Sequence, residues 1–269
     1  TPVIRAPSHG GLVTCAVKVA VILQSAWSAI LDRHQDSPPS WADFKRQFDD
    51  GQAFQRYEGA PARVPSGEEL HMSALHGKSK AVGGRDGWAP AELRLLPRTA
   101  WDMRSQLLDA CSKAQRFPRS YKSVTVSAIP KGDGSPDPLK QPLLTIFSAL
   151  YRVEARAWYQ MLTPWLLGTL HKDLHGGIPQ HECLEASYDA QLQMESALLH
   201  GSQCVFASYD QLKFFDLFDR RFTYELLVNH GLPPAMAEMW RELYDGIDRR
   251  IKVGQHYGPA HTSYNGVGQ

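Results

Sequence analysis

The stretch Ser208-Tyr209-Asp210-Gln211-Leu212-Lys213-Phe214-Phe215-Asp216 decides how this chain is read. Just before it run Cys204, Val205, Phe206 and Ala207, apolar enough for the middle of a sheet. The pattern predicts a buried strand over Cys204–Tyr209 that delivers Asp210 to its mouth. A carboxylate in that place is costly to desolvate unless something pairs with it, and a metal ion is one such partner.

Working outward, the 269 residues suffice for one large core or two modest ones. At 43% hydrophobic and 21% charged, the composition is that of an ordinary globular protein. A net charge of +1 excludes a global field that draws the chain to nucleic acid or acidic membrane. Any polyanion site must then be a local cluster. Cys15, Cys111, Cys183 and Cys204 lie far apart in apolar or helical surroundings. They read as reduced, mostly buried thiols of a reducing compartment rather than a disulfide framework. Residues 11–31 nearly have the length of a membrane span, but Lys18 near their middle would cost about 2.5–3.5 kcal/mol on insertion. Thr14, Lys18, Ser25 and Ser28 fall on one narrow stripe, which fits a mostly buried helix with one wet edge. No membrane span is expected.

Along the chain, Asp36–Trp41 (DSPPSW) ends the first helix, and residues 41–80 are polar and weakly periodic. After the turn Gly83–Trp88 a helix follows, with Leu93, Leu96, Trp101, Met103, Leu107, Leu108 and Cys111 on its apolar side. Residues 121–129 alternate as a half-buried strand, and Pro130–Pro142 is a Gly/Pro/Asp loop. Helices are predicted over about 145–167, 182–200, 219–229 and 235–247, with a strand from Arg249 to Val253 opening a hairpin. The mixture predicts an α+β, helix-rich domain with a small partial antiparallel sheet.

Several phrases in this order carry a resemblance. GGRDGWAPAELRLLP (83–97) looks like a "GxDGxxxE" segment, and SAIPKGDGSPDPLKQPLLTIFSALYRV (127–153) like an "IPK … RPI … S..YR" run. HGGIPQHECLEA (175–186) is similar to a variant "Q.GF" phrase, SYDQLKFFD to "DxxKAFD", and TSYNGVGQ (262–269) to the start of "NGVxQGxPLS". Together they resemble the fingers and first half of the palm of a reverse transcriptase of the non-LTR retroelement type. The resemblance divides the chain into an N-terminal helical extension (1–80) without an interpretable motif, a fingers-like region (81–203) and a partial palm (204–269). The second metal-binding motif, a paired-aspartate hairpin, is not among these residues.

What the resemblance implies is nucleotidyl transfer by two Mg²⁺ ions about 3.5–4 Å apart, with an RNA template and a DNA primer. Asp210 becomes the first metal-binding carboxylate and Phe215 the ring that excludes a ribose 2′-hydroxyl. Lys131 meets the triphosphate, and Gln269 packs beside the incoming nucleotide. Gln141 stands where the family has an arginine and cannot supply its cationic fork, a task that would fall to Lys140. A lone Asp210 cannot hold two cations, so this chain is expected not to polymerise by itself. The alternative is a reverse-transcriptase-derived scaffold or protein-binding subunit of a larger complex.

Three weaker constellations remain. His171, His175, His181 and Cys183 can be drawn as a zinc site, although their spacing matches no compact ligand pair. GGRDG lacks the lysine and preceding strand of a phosphate-cradling loop. Arg220-Arg221 and Arg249-Arg250 read as solvated charge at the ends of elements, with phosphate contact as the sharper option.

Overall fold

A computed structural model describes residues 3–6, 10–49, 54–130, 132, 134–171 and 173–266. A short antiparallel ribbon, β1 (Ile4–Arg5) and β2 (Leu12–Val13), leads into α1 (Ala16–Leu31). The helix buries Val19, Ala20, Leu23, Trp27 and Leu31, a single stripe at helical spacing. On the opposite side Val17 and Val21 are exposed, so the helix is half wet rather than mostly buried. No helix among the described residues is long and apolar enough to cross a membrane.

After α2 (Trp41–Phe48), α3 (Gly67–His76) starts at a reciprocal cap. Ser66 Oγ accepts from Glu69 N at 3.2 Å, and Ser66 N donates to the Glu69 carboxylate at 2.7 Å. Arg63 grips the same carboxylate with two nitrogens, which with the cap holds Glu69 down to about pKa 2. The predicted helix after Trp88 is in fact two, α4 (Pro90–Leu93) and α5 (Arg98–Lys113), broken at Pro97. Trp101 and Leu108 of α5 are buried, whereas Met103 and Leu107 face solvent, contrary to the apolar side read from sequence.

Strand β3 (Ser123–Ala128) pairs antiparallel with β4 (Leu143–Ile146), and α6 (Ala149–Thr169) follows at once. Then come α7 (Cys183–Leu199), α8 (Phe214–Leu217), α9 (Arg220–His230) and α10 (Pro234–Asp245). Strands β5 (Asp248–Val253) and β6 (His256–Tyr257) close the order. The four-stranded sheet runs β4-β3-β5-β6, and β3 and β5 are parallel. The fold is therefore α+β and helix-rich, but its main sheet is mixed where an antiparallel one was expected.

Two apolar clusters hold the layers together. On one face α1 packs its stripe on Val126, Leu143, Ile251 and Val253 of the sheet. The larger cluster joins α3, α5, α6 and α10 around Trp101, Leu108, Trp158, Met239 and Leu243. Within it the carboxylate of Glu154, fully buried, pairs with Arg104, which also bonds the Tyr121 hydroxyl. Burial pushes the Glu154 carboxyl up while the guanidinium pulls it down.

Gly231 ends α9 at φ +117°, and a Cβ there would overlap the carbonyl oxygen of Tyr57, whose N–H bonds His230 O at 2.8 Å. Gly231→Ala meets both the left-handed backbone and the clash. It should lose about 1–3 kcal/mol of stability, read as a lower urea midpoint with an unchanged slope.

Candidate functional site

The residues that lead into SYDQLKFFD do not form a strand. From Ser202 to Asp210 the backbone is irregular and exposed, with Val205 at 92% and Tyr209 at 90% exposure. A strand exists only where a neighbour takes up its N–H and C=O groups. The free edges of the main sheet belong to β4 and β6, and Cys204–Tyr209 pairs with neither. Asp210 consequently sits in water, not at a strand mouth, and its charge needs no buried partner. The same exposure holds for Cys15, Cys183 and Cys204; among the four thiols only Cys111 is partly covered, so the expected burial of the cysteines is corrected.

Three residues further on the chain enters the body of the protein. Lys213 adopts the left-handed conformation at φ +54° and starts α8. Its ammonium donates to Leu139 O at 2.7 Å and lies 4.0 Å from the centre of the Trp27 ring. Trp27 Nε1 in turn donates to Pro138 O at 3.0 Å, so α1 and Lys213 clamp the turn at 138–140 from two sides. Phe215 is 48% exposed and meets Phe214 edge-on at 5.5 Å. Asp216 is partly buried; desolvation raises its carboxyl pKa, opposed by the charges of Lys213 and Arg249.

Behind α8 lie two buried guanidinium groups. Arg220, 3% exposed, donates to the carbonyls of Ser263, Asn265 and Gly266 at 2.9–3.0 Å and to Asp245 at 3.2 Å. Arg249 is also buried, and desolvation followed by the nearby Arg220 charge lowers it to about pKa 10. Arg220 and Arg249 are neither solvated nor free to touch phosphate, which corrects both readings for these two, whereas Arg221 and Arg250 stay partly exposed beside Asp219 and Asp248. Gly266 N donates to Phe218 O at 2.9 Å, which closes 263–266 onto the end of α8.

The remaining candidates scatter. Gln141 is 2% exposed, and its Oε1 finds no partner among the described residues. Lys140 is exposed and, with Arg5, lines a cleft of about 570 Å³ floored by Ala26 and Pro138. Lys131 and Gln269 lie outside the described residues. A second cleft, of about 620 Å³, is apolar and formed by Phe44, Leu212, Phe214, Phe218, Phe222 and Leu226.

The GGRDG turn has a structural task. Asp86 accepts from the first amides of α6, Ala149 N and Leu150 N, both at 3.4 Å. The sequence gives no sign that Trp27, Arg220 and Arg249 support the motif. Nothing in the sequence distinguishes a buried arginine that binds carbonyls from a solvated one.

Among the described residues no group of three or more potential metal ligands includes Asp210, and the one such group that converges is His175, His181 and Glu185. Asp210 alone does not fit a magnesium pair, and no catalytic step is derived through one. Compared with models of known protein families and with curated proteins, the sequence matches none.

Lys213→Ala removes a charged hydrogen bond and a cation–π contact together. It should cost about 1–2 kcal/mol and speed hydrogen exchange at the Lys140 and Gln141 amides, which bond Asp137 O and Pro138 O. Mass-spectrometric exchange with unchanged rates at 138–141 would show that the clamp does not order the turn.

Proposed function

We propose that the chain is a fingers–palm unit of the reverse-transcriptase lineage that binds an RNA template–DNA primer hybrid and does not by itself add nucleotides. The observation that supports this reading is convergence. Leu139 of the fingers-like run, Lys213 and Asp216 of the SYDQLKFFD phrase, and Asn265-Gly266 of the NGV phrase are far apart in sequence. They meet through Trp27 and Arg220 around one short helix. Phrases that look like the family's in order are thus also neighbours in space, as a shared site requires.

Asp210 and Phe215, three residues before and two after Lys213, are exposed, and Lys140 and Arg5 line the cleft beside the turn. Two cations beside the single carboxylate of Asp137 leave this cleft a net positive charge that suits a phosphate backbone held locally, in a chain whose net charge is only +1. Nucleotide transfer needs carboxylates additional to Asp210, and no group of three or more potential ligands among the described residues includes it.

A second reading has its own observation. Along α7 the side chains of Leu184, Tyr188 and Leu192, one helical turn apart, are exposed, as are Val205 and Leu212 after it. Apolar surface of that extent suits a protein-binding subunit of a larger complex.

A primer–template hybrid labelled on the primer should bind in the micromolar range at about 50 mM salt and weaken steeply by about 200 mM. Lys140→Glu should lower affinity several-fold and flatten the salt dependence, and Mg²⁺ with dNTPs should give no extension. No binding at the lower salt would leave the protein-binding reading. Extension that persists in Asp210→Asn would remove Asp210 from any catalytic role.

A further inference from the structure

We infer that His175, His181 and Glu185 form a zinc site that ties the 173–182 loop to the first turn of α7. This inference is independent of the hybrid-binding reading. Three atoms define it: Nδ1 of each histidine and Oε2 of the glutamate. His175 Nδ1 lies 3.2 Å from Glu185 Oε2, His181 Nδ1 lies 3.5 Å from the same oxygen, and the two Nδ1 atoms are 3.4 Å apart. A tetrahedral zinc with bonds of about 2.0–2.1 Å has ligand–ligand edges of about 3.3–3.4 Å. The triangle is therefore one face of that tetrahedron, before any side chain moves.

Hydrogen bonding alone accounts for the arrangement less well. Each neutral imidazole Nδ1 is either a donor or an acceptor, and the ionised carboxylate only accepts. If each ring donates its own Nδ1–H to Glu185 Oε2, two donor nitrogens are left facing one another at 3.4 Å. A cation inside the triangle satisfies all three atoms at once. Imidazole with carboxylate is a ligand set that zinc favours among the common divalent ions.

The surroundings orient the set. The amide of Glu182 donates to Glu185 Oε2 at 3.4 Å, fixing the carboxylate through the cap of α7. His175 is partly buried while His181 and Glu185 are exposed, so water has access to a fourth position. Cys183 does not join. Two residues before Glu185 on the same helix, it projects from a different side, roughly 200° away around the axis. His171 is drawn off by Asp173, 3.6 Å away. Of the four ligands the sequence suggested, two meet, and Glu185 completes them.

The role that follows is structural. Helix α7 buries no residue, so a metal at its start anchors what side-chain packing does not.

The test is titration of the full chain with Zn²⁺ against a chromophoric chelator, and with Co²⁺ by absorption. One equivalent should bind, and the Co²⁺ spectrum should show tetrahedral bands without thiolate charge transfer. His181→Ala and Glu185→Ala should each weaken zinc by roughly 100-fold or more, while Cys183→Ser and His171→Ala leave it unchanged. None of the four is in a core cluster, and circular dichroism confirms that each variant is folded. Absence of binding, affinity retained in the His181→Ala/Glu185→Ala double variant, or loss of binding in Cys183→Ser would each overturn the assignment.

Discussion

Two guanidinium groups buried side by side impose the strongest constraint in this structure. Arg220 and Arg249 cannot lose their charge at physiological pH; the chain brings acceptors to the first, while Nη1 of the second stays buried without a hydrogen-bond partner among the described residues. Carbonyls of Ser263, Asn265 and Gly266 and the carboxylate of Asp245 surround the first. Tyr244, then Asp216 and Asp32, offset part of the unfavourable setting of the second. Meeting that demand forces the 263–266 segment against α8 and fixes where SYDQLKFFD enters the fold. The cost of burying the charges is thereby converted into position.

Around that junction the apolar layers are conventional. α1 closes one face of the sheet, and the helices around Trp158 and Leu243 form the larger cluster. Trp27 serves both sides: its ring is fully buried with the sheet residues, while its indole N–H holds Pro138. One side chain of the N-terminal stretch therefore belongs to the core and to the support of the candidate site. Residues 1–80 carry no motif, yet the site leans on them.

Regular elements with a clear period were legible. Residues 121–129 enclose β3, 145–167 largely coincide with α6, 182–200 with α7, and 219–229 with α9. Short elements set by tertiary pairing were not. Leu143–Ile146 forms β4 because β3 lies beside it, whereas the comparably apolar Cys204–Ala207 stays irregular because nothing does. The choice between strand and loop was thus made by a neighbour, not by the residues themselves. For the site, sequence indicated chemistry-bearing residue types and their order. It could not indicate that Gln141 turns inward, that Arg220 is sealed in, or that Glu185 joins two histidines in place of Cys183. Those outcomes depend on which side of a helix or turn meets another element.

Helix α7 buries none of its 17 residues, and the nine that precede Gln211 lie open as well. Without metal at its first turn, its persistence rests on backbone bonds and local capping, which for an isolated helix of that length are worth close to nothing net. This excursion can therefore melt and re-form many times for each global unfolding, while the clusters around Trp27 and Trp158 stay shut. The molecule carries two tiers of stability in one chain, a durable body and a fringe that exchanges with solvent almost for free.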